Sequence, residues 1–401
     1  VWQVDLVDSG SYKPLPMSET TNHDAAPPHG EFYIPSLDGL RAVACLLVFF
    51  GHAVPVEYSR FAPAGFGVGI FFFLSGYLIT TLLRREFARS GTINLRHFCL
   101  RRVLRILPPF YLVLSVTTLL TALGVLSGRV ELQTILAYAL HIANYWHIWY
   151  GLENIPGGTS VYWSLSVEEH FYLVFPLLFL FMSARKLSFN RILCAILGLC
   201  LLVLLWRSYL VLQGVDQDRI GRATDTRVDT ILFGCALAVF KNPMLDTPTD
   251  RSRWWLYLGL PLGLALLAVT FFVRNPFFHG ALRMTVQAIA LAPIFIAAIK
   301  FPEFGPFRLL NTRLFKFVGL ISYTLYLIHR AILDFLWRHS ALGWVPLMLL
   351  ALGISVALSY LIYLTIEAPA ARLRRRLTAL PQPLNALPAE SQRRSASSAA
   401  S

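Results

Sequence analysis

Apolar positions gather into eleven long runs, near residues 37–56, 66–83, 104–126, 131–147, 164–183, 191–212, 228–241, 254–273, 282–299, 315–337 and 345–366. An α-helix needs roughly 20 apolar residues to cross the hydrocarbon layer of a bilayer. The pattern therefore predicts an all-α, polytopic transmembrane helical bundle. No internal repeat is visible, which weakens a transporter built from inverted repeats.

Charge decides how many runs cross. If residues 131–147 stay on one side, segments 84–105, 185–191, 241–253, 300–316 and 372–376 share a face and hold 21 Lys/Arg. The opposite face then holds 8: Arg60, Arg129, Arg219, Arg222, Arg227, Arg274, Arg283 and Arg338. Cytoplasmic loops collect the cations. If 131–147 crossed, every later loop would change sides against that bias. The expectation is about ten spans, both termini cytoplasmic, and 131–147 as a re-entrant or interfacial helix. That segment carries His141, Asn144 and His147 and ends in Tyr145-Trp146-His147-Ile148-Trp149-Tyr150, an aromatic cluster suited to a membrane interface.

Composition narrows the class. The chain is 56% hydrophobic and 14% charged, against about 25% charged in ordinary soluble domains, with mean hydropathy +0.58. That excludes a disordered chain, a disulfide scaffold and a soluble enzyme. The net charge of +13 fits the loop bias, with no nucleic acid needed as partner. Five cysteines, four of them within apolar runs, read as small packing residues. Residues 1–32 read as a polar cytoplasmic leader without a signal peptide, 33–377 as the membrane domain, and 378–401 as a disordered cytoplasmic tail.

In so apolar a chain, ionisable groups within the membrane are the functional clues. Arg41 and His52 are 11 residues apart, so they share a helix face and stand ~16 Å apart along the axis. Asp38 lies at i−3 from Arg41 and can pair with it. A neutral imidazole such as His52 can act as a general base or accept an acyl group. Arg102 and Arg105 share a face at a helix entrance, with Arg101 beside them. They read either as ordinary cytoplasmic charge or as a phosphate site. In Trp163-Ser164-Leu165-Ser166-Val167-Glu168-Glu169, the Ser166–Glu169 spacing fits a capping box. Glu168 lies on another face, where it is expected either to enter the bundle and meet His52 or to stay solvated. Arg227 and Asp229 open a later span. Ser322, Tyr326 and His329 share one face by i, i+4, i+7 spacing and can line a cavity or pack as a hydrogen-bonded cluster. Gly65-Phe66-Gly67-Val68-Gly69 lacks the βαβ setting of a nucleotide fingerprint and suits close helix packing. No metal site is expected, because His141 and His147 have no ligand-like partner.

Taken together, these segments resemble the acyltransferase 3 family of integral-membrane acyltransferases. The matches are Leu37-Asp38-Gly39-Leu40-Arg41-Ala42 leading to His52, Phe72-Phe73-Leu74-Ser75-Gly76-Tyr77-Leu78-Ile79, the Arg102–Arg105 pair before Pro108, and Trp163 to Glu168 with Phe171-Tyr172. Thr226-Arg227-Val228-Asp229, Ser322-Tyr323-Thr324-Leu325-Tyr326-Leu327 with His329, and Glu367-Ala368-Pro369-Ala370 complete the set. They occur in family order over about residues 33–377, and none departs from the pattern.

The resemblance implies an acyl-CoA donor, usually acetyl-CoA, bound from the cytoplasm, and a glycan or glycoside hydroxyl, free or lipid-linked, presented outside. It implies an essential His52 supported by Arg41, with Arg102 and Arg105 (and Arg101 beside them) at the donor. Asp38, Trp163, Tyr326 and His329 are the expected cavity residues, and Glu168 is expected to orient the imidazole. The setting is a bacterial inner membrane, in contact with its lipids. The family includes versions fused to an esterase-like domain, and the short polar tail here fits a stand-alone version. A transporter of a lipid-linked sugar would also use buried Arg, His and Glu, but would release no CoA. A silent membrane scaffold would tolerate loss of His52.

Overall fold

A computed structural model describes residues 34–55, 57–58, 63–246 and 252–378. The expected leader, Arg60, Arg251 and residues 379–401 of the expected tail lie outside these. The helices are α1 (Leu37–Ala53), α2 (Ala64–Ser90), α3 (Leu95–Ala122), α4 (Leu132–Ala139), α5 (Ala143–Tyr150), α6 (Trp163–Ala184), α7 (Phe189–Leu212), α8 (Gln217–Arg222), α9 (Thr224–Val239), α10 (Leu260–Phe272), α11 (Arg283–Lys300), α12 (Gly305–Leu310), α13 (Arg313–His339), α14 (Trp344–Ile362) and α15 (Ala368–Thr378). Short π-helical turns lead into α10, α11 and α15, and a 3-10 turn leads into α6. There is no strand among the described residues.

Eight helical stretches are long and apolar enough to cross a membrane: Ala64–Ser90, Leu95–Ala122, Thr159–Ala184, Phe189–Leu212, Trp255–Phe272, Phe278–Lys300, Arg313–His339 and Trp344–Leu377. The chain is a multi-pass, all-α membrane bundle. The remaining two expected spans fall on α1 and α9, which have 17 and 16 residues. Each is about 25 Å long at 1.5 Å per residue, somewhat less than the ~30 Å hydrocarbon layer. Segment 131–147 breaks at His141, whose φ is 56°. The break leaves α4 and α5 with 8 residues each, or about 12 Å apiece, far too short to cross.

The helices sort by burial. In its most apolar stretch α2 is 83% buried and α7 only 17%. Leu201, Leu202, Leu205 and Leu212 of α7, with Leu262 and Leu264 of α10, face outward. That is tolerable where the surroundings are lipid, since hydrocarbon is as apolar as leucine. α2 packs on α1 and α9, while α13 packs on α1 and α14. The α2–α9 crossing is set by two glycines. A Cβ on Gly76 would come within 1.9 Å of the Ile231 carbonyl oxygen, and one on Gly234 within 2.0 Å of that of Phe73. Of the three glycines of 65–69, only Gly67 serves close packing: a Cβ there would meet the Ala44 carbonyl oxygen at 2.6 Å, whereas Gly65 and Gly69 face open space.

Candidate active site

α1 is laid out as its spacing predicts. Arg41 donates to Asp38 Oδ1 at 2.9 Å across one turn, and Arg41 is buried. His52 stands in the last turn of the same helix. Its partner is His329 of α13, with His52 Nδ1 and His329 Nε2 3.1 Å apart.

A cavity of about 750 Å³, its open mouth included, lies between α1, α2, α3, α6 and α13. Arg41, Arg102 and Arg105 supply positive charge to its wall, and Glu168 and Glu169 supply negative charge. Val68, Phe71, Phe72 and Leu165 make an apolar flank. Ser164 and Tyr326 also line it and share a 2.6 Å hydrogen bond between their hydroxyls. The Tyr326 carbonyl in turn meets His329 Nδ1 at 2.8 Å. Thus the same residue forms cavity wall and anchors the ring that touches His52. Arg102 stacks over Tyr172 and Phe98, its guanidinium carbon 5.3 and 5.6 Å from the ring centroids.

The expected pairing of Glu168 with His52 is not the one the structure forms. Glu168 accepts a 2.7 Å hydrogen bond from Ser75 Oγ, which in turn accepts one from the Tyr172 hydroxyl at 3.1 Å. The carboxylate is within electrostatic reach of Arg102 and Arg41. The physical reason is the rotation of α6, which turns residue 168 toward the arginines while α13 supplies the partner for His52. The Ser166–Glu169 capping box is also not formed. α6 starts at Trp163, so Ser166 is already inside the helix, where its hydroxyl donates to the Tyr162 carbonyl. Glu169 is left to face the cavity.

Five of the expected residues stand outside the cavity wall: His52, Asp38, Arg101, Trp163 and His329. Asp38 pairs with Arg41. Arg101 pairs with Glu86 at 3.1 Å and is about 29% exposed. Trp163 packs edge-on to Phe72 and lies under the guanidinium of Arg227 at 5.6 Å. His329 is completely buried. Asp229 does not pair with Arg227; it holds Arg207 of α7 in a 2.9 Å ion pair with both side chains at 0% exposure. Ser75, Tyr172 and Tyr323 were missed as cavity residues. The signal was a serine in the apolar run of α2, and tyrosines on the faces that carry Glu168 and Tyr326.

Away from this cavity, His147 hydrogen-bonds the Tyr138 hydroxyl and His141 stacks on Phe110 with ring centroids 4.6 Å apart. No group of three or more His, Cys, Asp or Glu is placed to hold a metal among the described residues.

The chain is similar to known proteins over most of its length. A family profile described as an acyltransferase domain matches residues 34–364. A peptidoglycan O-acetyltransferase of Listeria monocytogenes is 30% identical over 313 residues, covering 75% of this chain and 49% of that protein. A Bacillus subtilis protein named as a candidate peptidoglycan O-acetyltransferase is 32% identical over 74% of this chain and 48% of its own length. A Staphylococcus aureus protein named as a candidate O-acetyltransferase is 28% identical over 84% of this chain and 57% of its own length. The chain spans about half the length of the curated relatives it matches. No solved structure matches it significantly.

Proposed function

The chain belongs to the acyltransferase 3 family, and on that premise we propose that it moves an acetyl group from acetyl-CoA to a hydroxyl of a cell-surface glycan. The relatives' names make a peptidoglycan sugar the first acceptor to try. The observation that carries the reading is that one cavity is lined both by Arg102 and Arg105 and by Tyr326, whose carbonyl holds the His329 ring that touches His52.

Arg102 and Arg105 take the phosphates of CoA, since guanidinium binds phosphate oxygens through paired N–H donors. They open to the cytoplasm, where the donor is made; the bias of Lys and Arg toward the loops on this face supports that orientation. The pantetheine arm lies along Phe71, Phe72 and Leu165. Glu168, held by Ser75, balances the charge of Arg41 and Arg102 when the site is empty of phosphate. His52, one turn beyond the Tyr326 layer, takes the proton of the acceptor hydroxyl or receives the acyl group itself. The ~16 Å from Arg41 to His52 separates a donor entering from one face from an acceptor reaching the other.

The test is the purified protein in liposomes, given acetyl-labelled acetyl-CoA and peptidoglycan fragments, beside His52→Ala protein of equal folding. Label on the glycan, with CoA released, in the wild type alone is the expected result. Equal CoA release by both proteins removes His52 from the chemistry. Movement of a lipid-linked sugar across the bilayer with no CoA release replaces the reading with a transporter.

A further inference from the structure

The imidazole pair defines which nitrogen of His52 is basic. His329 Nδ1 lies 2.8 Å from the Tyr326 carbonyl oxygen, which can only accept a hydrogen bond, so Nδ1 carries the ring proton. His329 is fully buried. Its hydrogen-bond partners are a carbonyl and a second imidazole, and neither is an anion. Its charged chain neighbour, Arg330, is positive. An imidazolium there would be a buried charge without compensation, so the ring is neutral and its Nε2 is a bare lone pair. Two lone pairs do not face each other at 3.1 Å; His52 Nδ1 must be the donor. The lone pair of a neutral His52 is then on Nε2. Phe49 and Tyr326 flank the His329 ring, with centroids at 6.2 and 5.8 Å, which fixes its orientation.

We propose that His329 is a positioning residue that holds His52 in the Nδ1–H tautomer, making Nε2 the nitrogen that reacts. This replaces the expectation that His329 lines the substrate cavity, and it rests on the role of His52 proposed above. In the transfer, His52 Nε2 takes the proton of the acceptor hydroxyl while that oxygen bonds to the thioester carbonyl carbon. The carbon–sulfur bond breaks, and the CoA thiolate leaves and takes the proton back from Nε2. While Nε2 is protonated, the Nδ1–H of the imidazolium keeps its acceptor on His329. An aspartate plays the corresponding part in serine-hydrolase triads. Here a neutral ring does so, inside an apolar bundle where a lone carboxylate would be expensive to bury.

The experiment uses the full chain, labelled with 15N-histidine, in lipid nanodiscs. The His52 nitrogen resonances are identified by their loss in His52→Ala. In the wild type the unprotonated nitrogen of His52 is expected to be Nε2. In His329→Leu, which removes the imidazole acceptor and leaves the His52 ring only the Val48 backbone carbonyl, the two tautomers of His52 mix and kcat for acetyl transfer falls about 100-fold, with KM for acetyl-CoA unchanged. In His329→Gln, whose side-chain oxygen can accept from His52 Nδ1, the Nδ1–H form and most of kcat return. A wild-type His52 protonated at Nε2 overturns the proposal. So does a His329→Leu protein with the tautomer and kcat unmoved while His52→Ala is inactive. If His52→Ala itself transfers acetyl normally, it is the catalytic role of His52 that fails.

Discussion

The arginines inside this bundle stand in two opposite surroundings. Arg207 is enclosed. Its Nε donates to the Ala281 carbonyl at 2.8 Å, and its other nitrogens reach the Thr226 carbonyl at 2.7 Å, Asp229 at 2.9 and 3.1 Å, and Thr285. Asp229 also accepts from Thr285 Oγ1 at 2.9 Å. The cluster ties α7, α9 and α11 together away from the cavity. Arg41, Arg102 and Arg105 instead front an open cavity among α1, α2, α3, α6 and α13. A guanidinium whose fork is saturated by protein has no chemistry left to offer a ligand. One on the wall of an open cavity stands within a ligand's reach. The lesson is that burial of a charge does not by itself mark function; the shape of the space in front of it does.

The comparison breaks most sharply at Asp229. Asp229→Ala leaves Arg207 charged and buried without its anion, and breaking a buried pair in this way costs about 3–5 kcal/mol. That is a large part of the ~5–15 kcal/mol that holds a typical protein folded. We expect poor yield and a sharply lower melting temperature in detergent, with acetyl transfer lost in proportion to folded protein. A melting temperature close to wild type would mean that the enclosed cluster is no clamp. Arg102→Ala is the contrasting case. Loss of a hydrogen bond to a charged group is worth about 1.5–3 kcal/mol, so KM for acetyl-CoA should rise about 10- to 100-fold. The melting temperature should fall much less than in Asp229→Ala, and the reverse order would place Arg102 among the structural arginines.

The smallest effect belongs to Arg101→Ala. Its partly exposed pair with Glu86 is of the kind worth about 0–1 kcal/mol. KM for acetyl-CoA should change less than about fivefold on that scale. A rise equal to that of Arg102→Ala would extend the donor site beyond the cavity wall.

Local sequence made the elements legible because each depends on near neighbours. Ten apolar runs match ten helices, α1 and α9 included, and 131–147, which the loop charges kept to one side, forms two helices of 8 residues each. The Asp38–Arg41 pair and the shared face of Ser322, Tyr326 and His329 followed from helical spacing. The family motifs already held Arg41, His52, Arg102, Arg105 and Glu168, four of which meet at one cavity. Three pairings were not legible: Glu168 with Ser75, Asp229 with Arg207, and His52 with His329. Each joins side chains from two different helices, and the last two residues are 277 positions apart.

The sequence by itself determined that this is a helical membrane protein, where along the chain most of its helices lie, and which helix faces carry arginine, glutamate and histidine. A period of 3.6 residues is enough for that. Only the tertiary structure decided which of those faces look at one another. The rotation of each helix about its own axis is set by packing, such as the Gly76–Gly234 contact of α2 with α9, and no local pattern encodes it. That rotation turned Glu168 toward the arginines, sealed Arg207 against Asp229, and gave His52 a second imidazole as its partner.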